Sequence, residues 1–463
     1  MIGMGRNGAR ILAALLVLLS PVAAAAESLS DALISAYRHS GLLEQQRALL
    51  RAADEDVAVA VSRLRPAINY ALSVKWANTT PFPGDSIAQN ATISAQLMLF
   101  DFGRTQLGVK LARENVLATR EMLVGAEQKV LLRAVSAFLN VRSAAEKASL
   151  QASNVRLITE ELRAARDRFE VGEITQTDVS LAEARLAAAK AAEAAASGQL
   201  IVAREEYKAA TGHYPGTLSA PPTPPITVKT LDEARALAVR RHPDMLSAQR
   251  NVAVADMNVE MALLAMKPTL SATASTGVNR VVGGSDTTTS TLGVTLSGPI
   301  YQGGRLSALY RKAQAQRDAA RASLHVTRAA VEQGVSNAWA GLAIAAASIE
   351  ANQRQVRAAT VALRGTREEL SLGSRTTLDV LNAEQSLLDA RAGAITAQSD
   401  QYLAVYQLLA AMGLLTADHL KLGIATYDPE AYYNAVKTAP VTRVSPQGER
   451  LDAVIKALGL DKN

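Results

Sequence analysis

Two stretches of the chain alternate apolar and polar residues with a period of two, which is typical of β-strands whose two faces meet different surroundings. They form the predicted hairpins 67–100 and 269–301. One face of the first strand carries only large apolar side chains: Ile68, Tyr70, Leu72, Val74 and Trp76. The opposite faces are rich in Thr, Ser, Asn and Gln. Strands of about ten residues match the length of a tilted strand that crosses a bilayer.

A helical period precedes and follows each hairpin. Helices are predicted from about Leu29 to Arg65 and from Leu231 to Lys267, and a proline ends each of them. Very long helices are predicted over 103–171 and 304–371, and no proline interrupts the first. Steps of three and four residues along the first mark a coiled-coil seam: Ala134, Phe138, Val141, Ala145, Ala148, Ala152, Val155, Thr159, Leu162, Arg166 and Phe169.

A tight turn follows each long helix. Gly172 and Gly373 mark the two turns, and shorter helices over 177–211 and 377–412 are predicted to run back from them. The predicted N-caps are the threonines that open these returning helices, Thr177 and Thr377.

The second half of the chain repeats the first. Three pairs of glycines are 201 residues apart: Gly103 and Gly304, Gly172 and Gly373, Gly212 and Gly413. A repeat this regular predicts two copies of one structural unit. The predicted organisation is a signal peptide (1–26), a first repeat (27–228), a second repeat (229–416) and a C-terminal tail (417–463) that is equatorial or disordered, with a short helix over 451–460.

The N-terminus has the features of a secretory signal peptide. Arg6 and Arg10 precede the apolar run 11–19, and three alanines precede Glu27. No later segment reaches the roughly 20 apolar residues of a transmembrane helix. The mature protein is therefore expected to be exported without a transmembrane helix.

Composition excludes several classes of function. The chain has no cysteine, and its five histidines show no ligand spacing, so neither a metal nor a cofactor is expected. The formal charge is +6, and basic and acidic residues are interleaved along the helices, so nucleic acid is not an expected partner. No nucleophile with a base and no phosphate loop occurs, which predicts that the protein is not an enzyme.

The alternating strands admit two interpretations. Two soluble hairpins packed on helices would alternate as well, and the seam alone also fits a free-standing coiled-coil rod. The hydroxyl and amide face, which suits a water-filled lumen, and the export signal favour strands that cross a membrane in a closed barrel. Four strands cannot close a barrel, because the smallest single-chain barrels have eight, so several chains must contribute strands.

The chain resembles the TolC family of outer-membrane factors of Gram-negative bacteria over nearly all of its mature length. The most specific motif is the segment 372–383, with sequence LGSRTTLDVLNA, and a weaker copy begins at Val171. Further landmarks are Phe102-Gly103-Arg104, residues 298–304 and Tyr427-Asp428-Pro429. The resemblance implies a mainly α-helical chain with a transmembrane β-barrel. Three chains of four strands would form a homotrimer with a twelve-stranded barrel, continuous with a long α-helical coiled-coil tunnel.

The same resemblance implies a function and partners. The protein would be a passive outer-membrane exit duct of a tripartite efflux or type I secretion system, surrounded by outer-membrane lipid. A periplasmic adaptor (membrane fusion) protein and an inner-membrane transporter would open its periplasmic tip. Thr177, Asp178 and Arg375 would form a latch that keeps the tip closed, and the turns at Gly172 and Gly373 would dock the adaptor.

A tunnel constriction is also implied. A ring of Asp379 carboxylates would favour cations, and repulsion around the threefold axis would raise their pKa. The family has a second aspartate where this chain has Asn382, so the ring is expected to carry less charge. The tyrosine partner of the latch aspartate is replaced by Leu370, which predicts a weaker latch.

Plainer roles for these residues remain open. Asp178 and Asp379 can be helix N-terminal charges that complement the macrodipole, and Arg375 can be a solvated turn residue. The alternative function is a soluble periplasmic coiled-coil adaptor or scaffold, because adaptors also carry helical hairpins.

Overall fold

The computed structural model describes residues 26–78, 85–222 and 228–441, together with residues 453, 456 and 457. Within these ranges the helices are α1 Leu29–His39, α2 Gly41–Ser62, α3 Arg104–Glu170, α4 Gln176–Thr211, α5 Leu231–Arg241, α6 Pro243–Leu264, α7 Arg305–Ser371, α8 Thr377–Ala411 and α9 Pro429–Val436. The strands are β1 Ala67–Asn78, β2 Asp85–Phe100, β3 Thr269–Val281 and β4 Thr287–Ser297.

The chain divides into two compact units, and each contains parts of both repeats. Unit 1 comprises the described parts of Met1–Ser40, Val130–Ile226 and Gly341–Gln407. Unit 2 comprises those of Gly41–Lys129, Thr227–Ala340 and Leu408–Asn463. Unit 1 therefore holds the turns of both helical hairpins with the helical segments next to them, and unit 2 holds the sheet.

The four strands form one antiparallel sheet in the order β1-β2-β3-β4. Ala67 pairs with Gln96 within the first hairpin, and Ile93 pairs with Thr276 where β2 of the first repeat meets β3 of the second. Within the described chain, β1 and β4 each have a single neighbour. Both outer edges therefore present backbone groups that can pair with another strand.

The apolar face of the sheet is exposed in the single chain. Tyr70 is 81 % exposed, Leu72 is 75 % exposed and Leu292 on β4 is 84 % exposed. A continuous row of large exposed apolar side chains marks a surface that meets lipid or another protein.

Each of the two helices predicted before the hairpins is two helices in the structure. α1 ends at His39, the following Ser40 is extended with φ −67° and ψ 110°, and α2 begins at Gly41. In the second repeat His242 is extended and Pro243 opens α6. Proline suits the first turn of a helix and disfavours helix at the preceding residue, so Pro243 explains the second break from sequence.

The buried face of α3 follows the predicted seam only in part. Ala134, Phe138 and Val141 are buried, as predicted. Toward the turn, the buried side chains are Ile158, Leu162 and Ala165. The predicted seam residues Thr159 and Arg166 are exposed there, because burying the neighbouring apolar side chains removes more apolar surface from water.

The C-terminal region contains a helix that the sequence analysis did not predict. α9 packs on α2, and Tyr427 and Tyr433 contact the buried cluster of Leu50, Val57 and Val116. The predicted signal peptide 1–26 lies almost entirely outside the described residues. Most of the predicted helix 451–460 also lies outside the described residues. Residues 453, 456 and 457 are described, and they are helical.

Within the described ranges, none of the helices combines the length and the apolar composition that a transmembrane helix needs.

Candidate functional site

The two turns in unit 1 have the same backbone geometry. Gly172 and Gly373 adopt φ values of +80° and +74°, a left-handed conformation that favours glycine. The N–H of Gly172 donates to the carbonyl of Phe169 at 3.0 Å, and the N–H of Glu173 donates to that of Arg168 at 2.9 Å. The second turn makes the corresponding two bonds. These bonds satisfy the last carbonyls of each long helix.

A capping box opens each returning helix. The carboxylate of Asp178 accepts the N–H and the hydroxyl of Thr175 at 3.0 and 2.8 Å, and the hydroxyl of Thr175 accepts the N–H of Asp178. Thr376 and Asp379 make the same box, with distances of 3.0 and 2.9 Å to the carboxylate. Both aspartates therefore have a structural role at a helix N-terminus.

The predicted N-caps, Thr177 and Thr377, are wrong. A capping box places the hydroxyl three residues before the acid, which selects Thr175 and Thr376. Thr177 lies exposed in the first turn of α4, and Thr377 is buried as the first residue of α8.

Asp379 is held in its ionised form. The backbone N–H and then the hydroxyl of Thr376 donate to the carboxylate and lower the pKa of Asp379 below its ordinary value of 3.8. The carboxylate is charged at neutral pH, as a cation-attracting position requires. The repulsion expected to raise this pKa would act between the Asp379 carboxylates of different copies, so it is not present in a single chain.

The proposed latch residues do not meet within the described chain. The Nε of Arg375 donates to Oε2 of Glu369 at 2.8 Å, and both side chains are about half exposed. Asp178 is bonded to Thr175 in the other hairpin. Arg375 and Asp178 are therefore each engaged inside their own hairpin.

The two hairpins instead contact each other slightly further from the turns. Arg185 on α4 donates to Oδ1 of Asn382 on α8 at 2.8 Å. Arg367 on α7 lies 3.3 Å from the carboxylate of Glu161 on α3. Asn382, which the sequence analysis placed at the constriction, thus links the first repeat to the second.

An apolar contact accompanies these polar ones. Leu381 is buried in a cluster with Ile158 of α3 and Ala189 of α4. The corresponding residue of the first repeat, 201 positions earlier, is Ser180, which is exposed.

A repeated ion pair bridges the two helices of each hairpin. Arg166 bonds Glu183 at 2.6 Å in the first repeat, and Arg367 bonds Glu384 in the second. The two pairs differ in burial, because the side chain of Glu384 is 2 % exposed whereas that of Glu183 is 48 % exposed.

Burial has an electrostatic consequence for the second pair. Desolvation raises the pKa of Glu384, and the hydrogen bond from Arg367 opposes this rise. The sequence analysis missed both pairs, although each joins an arginine to a glutamate 17 residues later, across the turn, at matching positions of the two repeats. That repetition was the available signal.

The described part of the chain holds no group of three or more His, Asp or Glu side chains that could bind a metal ion.

Comparison with known proteins identifies the family. The model of the family described as "Outer membrane efflux protein" matches residues 34–213 and 235–414, once in each repeat. The chain belongs to this family. It is 38 % identical over 420 residues to the outer membrane efflux protein BepC of Brucella suis, covering 90 % of this chain and 91 % of BepC.

A further relative and a solved structure are also similar to this chain. The chain is 27 % identical over 429 residues to the outer membrane protein TolC of Escherichia coli, covering 87 % of this chain and 84 % of TolC. The CmeC outer membrane channel of Campylobacter jejuni has the same fold, with a TM-score of 0.75 at 16 % identity, covering 89 % of this chain and 90 % of CmeC.

Family membership confirms the main functional predictions. The protein is a passive exit duct of the outer membrane and not an enzyme. Its mainly helical chain with a four-stranded antiparallel sheet is the fold of the outer-membrane channels.

Proposed function

We propose that three copies of this outer membrane efflux protein form one pore, with a twelve-stranded barrel and a helical tunnel. A periplasmic adaptor and an inner-membrane transporter open the tunnel at the hairpin turns. Binding of these partners at the turns shifts the tip from the closed to the open state.

The observation that carries this proposal is the open sheet. Its four strands leave β1 and β4 with one neighbour each within the described chain. Unpaired backbone groups are costly in a bilayer, and four strands are too few to close a barrel. Pairing β4 of one copy with β1 of the next removes both edges, and three copies together supply the twelve strands of the proposed barrel.

Tip closure is proposed to rest on the contacts between hairpins. Arg185 with Asn382 and Arg367 with Glu161 join the first repeat to the second. The predicted latch of Thr177, Asp178 and Arg375 remains a proposal for contacts between copies, as does a selectivity ring of Asp379. Gly172 and Gly373 are the proposed adaptor-docking turns.

Of the two possible functions, efflux is proposed in preference to type I secretion. The support is the similarity to BepC, whose name describes an efflux protein. Deletion of the gene should lower the inhibitory concentrations of several unrelated drugs, and the full chain should restore them. Unchanged drug susceptibility with loss of a secreted protein would favour type I secretion instead.

Native mass spectrometry of the detergent-extracted protein tests the assembly. Three chains per particle are expected. A stable particle of one chain, together with release of the protein from outer membranes by a salt wash, would support the soluble adaptor alternative.

A further inference from the structure

The C-terminal strap, defined as residues 427–439, is held on α2 and α3 by polar contacts in unit 2. Arg120 on α3 donates to the carbonyl of Pro429 and to the carboxylate of Glu430, both at 3.3 Å. The hydroxyl of Tyr432 donates to Glu55 at 2.8 Å. Arg65 donates to the carbonyl of Ala439 at 2.6 Å.

A buried carboxylate lies beneath this strap. Asp54 occupies the apolar stripe of α2 between Leu50 and Val57 and is 0 % exposed. Neither of its oxygens has a hydrogen-bond partner within the described chain, and the same holds for Nε of Arg120. A buried carboxylate without such a partner is costly.

The second repeat shows a different arrangement of the same two residues. In the helices before the hairpins the two repeats are 202 residues apart, as the helix starts Leu29 and Leu231 show. Asp256 therefore corresponds to Asp54, and Arg321, 201 residues after Arg120 in the long helix, corresponds to Arg120. Asp256 and Arg321 form an ion pair at 2.9 Å. Both side chains of that pair are about half exposed. The duplicated scaffold therefore allows the arginine to reach the aspartate. In the first repeat, Arg120 instead donates hydrogen bonds to Pro429 and Glu430 of the strap.

We propose that Arg120 is a switch residue, which holds the strap when Asp54 is neutral and pairs with Asp54 when that carboxylate is ionised and the strap is released. The strap is then a segment with two positions. In the released state Arg120 pairs with Asp54, just as Arg321 pairs with Asp256 in the second repeat.

The charges around Asp54 set the direction of the switch. Burial raises the pKa of Asp54 to about 6, Arg120 on α3 opposes the rise, and Glu55 on α2 adds to it. Tyr427 on the strap also faces this site, and burial raises its pKa to about 12. The other charged groups that act on Tyr427 are Arg51 and Arg47 on α2 and Asp428 on the strap.

The sign of the pH dependence follows from linkage. Release of the strap lets water and Arg120 reach Asp54, so its pKa returns toward or below the ordinary 3.8. The docked strap therefore binds the proton more tightly than the released one. Docking is strongest below about pH 4 and weakens as the pH rises to about 6, with little further change above.

Thiol labelling of the full-length protein in detergent tests the switch. The chain has no cysteine, so Ala435→Cys, at a buried position of α9, reports release of the strap. Asn434→Cys, at an exposed position, corrects for the pH dependence of the thiol itself. The ratio of the two maleimide rates is expected to rise roughly tenfold from about pH 5 to about pH 7.5.

Two variants with matched controls decide the outcome. Asp54→Asn should keep the ratio low at both pH values, whereas Asp256→Asn should behave like the parent. Arg120→Gln should raise the ratio already at the lower pH, and Arg321→Gln should not. A parent ratio that does not change with pH, an Asp54→Asn variant that still responds, or an unchanged ratio in Arg120→Gln at the lower pH would overturn the proposal.

Discussion

The two helical hairpins share their local construction and differ in what surrounds it. Both have a left-handed glycine turn, a threonine–aspartate capping box and an arginine–glutamate pair between their helices. In the first hairpin the pair Arg166–Glu183 is about half exposed on both sides. In the second, Glu384 is buried and Arg367 also reaches Glu161 of the first hairpin.

The comparison indicates that equivalent residues of the two repeats contribute differently to the free energy of unfolding, because they are buried to different extents. An exposed ion pair contributes about 0–1 kcal/mol, whereas removing one partner of a buried pair leaves an uncompensated charge and costs several times more. Ser180 and Leu381 differ in the same way, because only the leucine lies in the contact between hairpins.

The largest effect is expected for Leu381→Ser, which gives the second hairpin the residue of the first. Loss of a buried leucine costs about 2–5 kcal/mol, and the contact with Ile158 and Ala189 weakens. Thermal unfolding followed by helical circular dichroism should show the loss, and channel openings should become more frequent. Ser180→Ala is the control and should change neither quantity appreciably.

A smaller effect is expected for Arg367→Gln, at about 2 kcal/mol of unfolding free energy, because Glu384 and Glu161 lose their shared cation. Arg166→Gln should cost less than about 1 kcal/mol. Equal losses in the two variants, measured by denaturant titration, would contradict the distinction between the hairpins.

Glu384→Gln should be closer to neutral, since it removes a carboxylate whose burial is unfavourable. The raised pKa of Glu384 means that the folded state holds its proton more tightly. The parent protein should therefore gain stability relative to Glu384→Gln as the pH falls from neutral toward 4.5, the ordinary value of the carboxyl. Glu183→Gln, measured over the same pH range, should show a smaller pH-dependent difference.

The smallest energetic effect is expected for Asp379→Asn, which keeps a polar side chain in the capping box. If Asp379 lines the constriction, cation selectivity read from the reversal potential should fall in this variant. In the parent, hydrogen bonds from Thr376 lower the pKa of Asp379 and favour the ionised carboxylate, so the parent should be more cation-selective than the variant at neutral pH. Asp178→Asn should leave selectivity nearer to that of the parent.

Local patterns predicted the elements of this fold better than its contacts. The alternation in β1 and the glycine turns are set by neighbouring residues, so the strands and hairpins could be predicted. The capping-box spacing between threonine and aspartate would have identified Thr175 and Thr376 as the N-caps, but the prediction chose Thr177 and Thr377. The link between Arg185 and Asn382 depends on which helices meet, and no local pattern contains that information.

Single-channel conductance of the purified, detergent-extracted protein in planar bilayers tests the central claim most directly. The account predicts long-lived, small and cation-selective conductances, with more frequent openings in Leu381→Ser. Failure of correctly folded protein to insert into the bilayer at all would contradict an outer-membrane duct built from this sheet.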